Sequence, residues 1–143
     1  MGALSIYFDK TEVQMDTGAD ICDITQALTN LISKSGIMNG NLNATVIGST
    51  GSVTTIEYEP GVVEDLKQAI SRLAPPEMAY EHEKAWNDGN GHSHVQAALI
   101  GPSVSVPVRN GKAVLGTWQQ VVVINHDNHP RQRVIEVSII GTS

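Results

Sequence analysis

The order of apolar patterns along the chain restricts its fold more than any other feature. Two stretches carry helical spacing. In "DICDITQALTNLISKSGI", Ile21, Ile24, Leu28, Leu31 and Ile32 fall on one stripe. Asp20 or Asp23 can cap its start, and Gly36 can end it. In "PGVVEDLKQAISRLAPP", Val62, Leu66, Ile70 and Leu73 make a second stripe. Pro60 suits its first turn, and Pro75 with Pro76 stops it. Around these lie strand-like stretches. Leu4 to Gln14 alternates, "NLNATVIGS" and "VTTIEYE" follow, and the C-terminal third holds "PSVSVPV", "KAVLGTWQQVVVIN" and "RQRVIEVSII". Asn110-Gly111 predicts a hairpin, because that pair suits a type I′ turn. Strand–helix–strands–helix–strands is not the alternation of a parallel sheet. It predicts an α+β fold, a mixed and mostly antiparallel sheet with two main helices packed against it.

Length and charge narrow the function. The 143 residues predict a single domain, 1–143, with one core. The lone cysteine, Cys22, cannot form an internal disulfide and reads as a buried small hydrophobe. That usage fits a reducing compartment, and cytoplasmic localisation is expected. No apolar run approaches the roughly 18 residues of a membrane span, and the start lacks the basic region of a secretory signal. A net charge of −6 argues against nucleic acid as a partner. Arg131 and Arg133 point the same way on a strand, as a solvated face or as an anion contact at a subunit edge.

The segment from Pro75 to Gly101 is too polar and glycine-rich for core scaffold and too long for an ordinary connection. It holds His82, and then "DGNGHSH" with Asp88, His92 and His94. On an extended backbone His92 and His94 share a face; on a helix they diverge by roughly 200°. The extended reading lets His82, His92 and His94 hold one divalent metal, zinc or magnesium, with carboxylates such as Asp88 orienting the imidazoles. An anion site without metal, or histidines that tie the loop to itself, are the alternatives. Gly89-Asn90-Gly91 is either a tight turn or a cradle of N–H groups for an anion.

Elsewhere, Glu57 and Glu59 face one side of a strand, as an acid–base or metal pair or as a wet face. "GSTGSVTTIEYE" also offers hydroxyls, Ser49 and Thr50 among them. Thr117 and Gln119 interrupt an apolar strand and need polar partners, while Trp118 between them reads as core. His126 and His129, in "NHDNHP", read as exposed turn residues.

The run "YEHEKAWNDGNGHSHVQAALIGPSVSVPVRNGKAVLGTWQQVVVINHDN" closely resembles the YjbQ-like family, also described as secondary thiamine-phosphate synthases. The likeness extends back through "VTTIEYEPGVVEDL". It implies a compact α+β domain assembled as a homotrimer, with a histidine-rich site near subunit junctions. His82, Asp88, Asn90, His92, His94 and Gln119 match the family's motif positions. Where many members carry His-Thr-Thr, this chain reads Ser49-Thr50-Gly51, so the site would be rebuilt around Ser49, Thr50 and Glu57. The implied reaction joins a pyrimidine pyrophosphate to a thiazole phosphate.

Three functions follow. The first is a metal- or anion-binding enzyme acting on a phosphorylated small molecule, a transferase resembling thiamine-phosphate synthases. Its catalytic residues would be His82, Asp88, Glu57 and Gln119, with Ser49, Thr50, Gly89, Asn90, Gly91 and Thr117 holding substrate. The second is a metal-dependent hydrolase of a phosphate ester or amide. The third is a non-catalytic trimeric binding or scaffold protein.

Overall fold

A computed structural model describes residues 2–143. Its strands form two antiparallel sheets, in the orders β1-β8-β3-β5-β6 and β2-β7-β4. The first comprises β1 (Leu4–Met15), β3 (Asn39–Val46), β5 (Ser103–Arg109), β6 (Lys112–Ala113) and β8 (Arg131–Thr142). The second comprises β2 (Asp20–Asp23), β4 (Gly51–Glu57) and β7 (Gln119–Asn125). Helices α1 (Thr25–Ser35), α2 (Pro60–Leu73), α3 (His82–Ala85) and α4 (Gly91–Ile100) complete the chain. All the strand pairings are antiparallel, so the α+β expectation stands and the mixed sheet resolves into two sheets.

The alternation of the long strands decides the layering. On β8 the odd residues Ile135, Val137 and Ile139 are buried. They meet Leu42, Ala44 and Val46 of β3 and Val53, Val121 and Val123 of the second sheet, with Leu28, Leu31 and Ile32 of α1 closing the core. Each such aliphatic side chain contributes about 1.5–3 kcal/mol when fully buried. The other face of β7, Val122 and Ile124, packs with Ile21 and Ile70, backed by Leu66 of α2 and Ile100 of α4. Covered on both faces, β7 reads as the continuous run "VVVIN" instead of an alternating strand.

Local departures have local causes. The first helix begins at Thr25, because Asp20–Asp23 pairs with β7 as a strand. Its Asp23 accepts from the Thr25 N–H at 2.9 Å. Leu73 is 70% exposed, and Ala74 takes the buried position at the end of α2. The stretch expected as one strand from Lys112 to Asn125 breaks between β6 and β7. Thr117 and Trp118 therefore lie in a connection, and Trp118 is 73% exposed, not core. The Asn110-Gly111 hairpin forms with positive φ at both residues.

Gly36 ends α1 with φ 70, and a Cβ there would meet nothing within 4 Å. Gly36→Ala is therefore a purely backbone perturbation. It should lower stability by about 1 kcal/mol without changing the denaturant m-value, as read by urea titration.

Candidate functional site

The middle segment folds onto the end of the second sheet. Glu83, on the single turn α3, reaches over the glycine turn. Its Oε2 accepts from Gly89 N–H at 2.7 Å, and its Oε1 accepts from Gly91 N–H at 2.9 Å. The glycine N–H groups do form an anion cradle, and the protein's own carboxylate fills it. Gly89 has φ 74, and a Cβ on Gly91 would lie 2.4 Å from Tyr80 Cβ, so the turn needs both glycines for different reasons.

Asp88 Oδ1 accepts from the Asn90 N–H at 3.0 Å and from His82 Nε2 at 3.1 Å. Those bonds, the Asn90 N–H first, hold the Asp88 carboxyl below the usual carboxylate range. Ligand atoms of His82, Glu83 and Asp88 all lie within 4.8 Å of one another. One imidazole nitrogen and two carboxylates suit a borderline divalent cation such as zinc, and suit magnesium less well because of the nitrogen. The donor set therefore fits a metal, with Glu83, expected with Asp88 and Glu81 only to orient the imidazoles, now among the ligand atoms.

The expected partnership of His82, His92 and His94 does not form. "GHSHVQAALI" is helical, so the two neighbouring histidines diverge. His94 packs its ring 4.6 Å from that of His82. His92 points toward Tyr80, and burial pulls its pKa down against the charges of Glu83, Glu77 and Asp127. No signal short of the helical start at Gly91 separates the two rings.

Beside His82 and Asp88 opens a cleft of about 310 Å³, lined among others by Ser49, Thr50, Asn90, His94, Arg131 and Arg133. It continues past Gly48, Ser49 and His94 into a second hollow of about 290 Å³ walled by Ala97, Ala98 and Pro102. Its floor is a buried polar network. Asp127, 2% exposed, accepts from Thr50 Oγ1 at 2.9 Å, Asn90 Nδ2 at 3.1 Å and the His129 N–H at 3.0 Å. Arg131 Nε lies 3.1 Å from the same carboxylate. Burial pushes Asp127 up, but these donors together outweigh it and bring the carboxyl down to about 2. Arg133, 5% exposed, donates to Asn125 Oδ1 and Thr50 Oγ1, both at 2.6 Å. Its Nη1 makes no hydrogen bond to the described residues. A Cβ on Gly48 would lie 2.7 Å from that nitrogen, which places it at the cleft wall. The two arginines do share a face, but Arg133 is not solvated as a plain strand face would be.

His126, expected as an exposed turn residue, is 1% exposed. Gln96 Nε2 donates to Ala74 O at 3.0 Å, so its Oε1 accepts from His126 Nδ1 at 3.0 Å. His126 Nε2 then accepts from Ser52 Oγ at 2.8 Å. Burial, with the Arg133 charge behind it, takes the His126 pKa to about 4. The turn looks polar in sequence, and only its packing under α4 reveals that it is core.

Glu57, Thr117 and Gln119 lie elsewhere. Gly51 touches the cleft at one end of β4 and Glu57 ends the strand, about 20 Å away at 3.3 Å per residue. Gln119 pairs with Glu57 across the sheet, accepts from Gly116 N–H at 2.9 Å and donates to Thr55 Oγ1 at 3.1 Å. It secures its own connection. Glu59 is not a partner of Glu57: its carboxylate accepts from the N–H groups of Gly61 and Val62 and caps α2. Within one chain these residues cannot act at the His82 cleft.

Comparison with known proteins places this architecture. The family profile described as UPF0047 protein YjbQ-like matches residues 9–142. A UPF0047 protein of Methanothermobacter thermautotrophicus is 33% identical over 138 residues, 96% of this chain and 94% of its own. One from Mycobacterium tuberculosis is 35% identical over 130 residues, covering 84% and 95%. A YbjQ-like protein of unknown function from Sulfolobus solfataricus superposes with a TM-score of 0.92 at 33% identity, over 97% of this chain and 99% of that one. A hypothetical protein from Aeropyrum pernix gives 0.88 at 30% identity, over 94% and 98%. Sequence and fold agree over nearly the whole length, and the chain belongs to the YjbQ/UPF0047 family.

Proposed function

We propose that the protein is an enzyme acting on a phosphorylated small molecule, which it binds in the cleft between the Ser49-Thr50 turn, α4 and the start of β8. The observation that carries this reading is Arg133: a buried guanidinium with one uncommitted nitrogen at the wall of a cleft that Asp88 and His94 also line. An oxyanion there gains charge-assisted bonds from Arg133 and Arg131, and a hydroxyl contact from Ser49. Asp127 keeps Arg131 and Thr50 in place. His82, Glu83 and Asp88 would hold a divalent metal, which supplies positive charge to a developing phosphate or pyrophosphate.

The candidate reaction is thiamine-phosphate synthesis, in which pyrophosphate leaves a pyrimidine as the thiazole phosphate attacks. The arginines and His94 would hold the leaving group. Hydrolysis of a phosphate ester is the second reading, favoured by the openness of the His82–Asp88 pair, whose Asp88 side chain is 42% exposed. A homotrimer would cover the apolar strip of Leu4, Ile6, Phe8 and Ile140, which the isolated chain leaves exposed.

The test is turnover with zinc, magnesium or chelator, on the two thiamine precursors and on a panel of phosphate esters. His82→Ala and Asp88→Asn should each cut turnover by about 100-fold or more, the usual scale of a lost acid–base or metal-binding group. Full turnover in both variants would overturn the reading. Inorganic phosphate released without thiamine phosphate would select hydrolysis.

A further inference from the structure

We propose that the protein has a second binding site, for a small oxyanion, in the pocket on the far side of α4, where Lys67, Ser71 and His92 supply the donors. The pocket measures about 160 Å³ and shares none of its lining with the His82 cleft. By the volume of liquid water it holds about five molecules, enough for a carboxylate or a phosphate. Because the "HSH" pair sits on a helix, each histidine serves a different wall: His94 the cleft, His92 this pocket.

The polar inventory decides the ligand's sign. Gln96 and His126 line the pocket, but their bonds to Ala74, Ser52 and each other occupy both His126 nitrogens and leave Gln96 only one Nε2–H. The Lys67 ammonium forms no ion pair, and the Ser71 hydroxyl makes no hydrogen bond, with the described residues. His92 has one long contact, 3.3 Å from its Nε2 to Ser93 Oγ, in which Nε2 donates because the Ser93 hydroxyl is given to Asn90 Oδ1. Its Nδ1 is free, and it donates to an anion when the ring takes up a proton on binding. The uncommitted groups are thus an ammonium, a hydroxyl, an imidazole and one amide N–H, and no carboxylate lines the space. Three acidic groups act on His92 from outside it. Glu83 is satisfied by Gly89 and Gly91, Asp127 is paired with Arg131, and Glu77 stands in solvent. A compact anion is the ligand that this donor set accepts, and a metal cation is excluded by the ammonium.

The full-length protein would be titrated with inorganic phosphate and separately with acetate, following the imidazole signals by NMR. The His92 signal is assigned by its loss in His92→Asn. A saturable His92 shift is expected, weakened roughly tenfold or more in Lys67→Ala, as loss of one hydrogen bond to a charged group would do. Ser71→Ala, which removes one small hydroxyl, provides a second variant should Lys67→Ala fold poorly. Arg131→Ala should leave the His92 shift intact while reducing the shifts of His82 and His94. Absence of a saturable His92 shift, or a shift indifferent to Lys67→Ala and Ser71→Ala, would overturn the proposal. Failure of the thiamine or ester assays would not touch it.

Discussion

Lowering the pH from 7 to about 4 is expected to remove about 3 kcal/mol of folding free energy through His126 alone. The ring is buried and neutral, its Nδ1 donating to Gln96 and its Nε2 accepting from Ser52. Its pKa falls from 6.5 to about 4 on folding. Each pH unit is worth about 1.36 kcal/mol. The sign follows from linkage: below pH 6.5 the unfolded chain takes up a proton that the folded protein refuses, so the unfolded state is favoured. The stability is intact above 6.5 and gone once the pH has passed through about 4. Asp127 adds a separate loss at lower pH, because its pKa is depressed from 3.8 to about 2. Urea titrations across pH 4 to 7 read the effect. His126→Gln should flatten that slope, while costing about 1–3 kcal/mol at neutral pH for the unpaired Ser52. A wild-type slope that survives the substitution would mean that other groups carry the acid lability.

Arg133→Ala should destabilise the protein by about 2–4 kcal/mol, the cost of losing its charge-assisted hydrogen bonds and leaving a buried acceptor behind. The guanidinium bridges Asn125 and Thr50, and Thr50 in turn bonds Asp127. Truncation leaves Thr50 Oγ1 without a donor beneath the cleft, and leaves Asn125 Oδ1 only the Asp127 N–H at 3.3 Å. Against a typical total of about 5–15 kcal/mol, such a loss brings the domain near its threshold. Arg133→Lys should recover only part of it, since one ammonium cannot reproduce the planar fork that spans both acceptors. Arg131→Ala is the contrast: its side chain is 49% exposed, and its loss should cost no more than about 1 kcal/mol. It should still weaken phosphate binding. Thermal and urea melts of the three variants separate the roles. Equal, small effects from Arg133→Ala and Arg131→Ala would show that the network does not support the floor.

The contrast between these arginines marks the limit of reading the chain by its pattern. Two apart on a strand, they share a direction, and that much is legible. Whether the direction is inward depends on β8 pairing with β1 on one side and β3 on the other. Only that pairing buries Arg133 while leaving Arg131 at the strand's exposed end. His126 repeats the lesson: a histidine between two hydrophilic neighbours looks wet until α4 lies across it. Cys22, by contrast, sits among apolar neighbours and is partly covered, packing against the main core.

The sequence by itself determined what is periodic. Alternation on β1, the stripes of α1 and α2, the hairpin at Asn110-Gly111 and the glycine that ends α1 all express local geometry, which neighbours a few residues apart encode. The concentration of candidate site residues in the middle segment was visible as composition. Tertiary structure alone decided which of them meet. The helix that starts at Gly91 turns His92 away from His94, and Glu83 rather than a ligand takes the glycine N–H groups. The length of β4 carries Glu57 out of reach. Each of these depends on residues distant in the chain, whose contacts leave no local period to read.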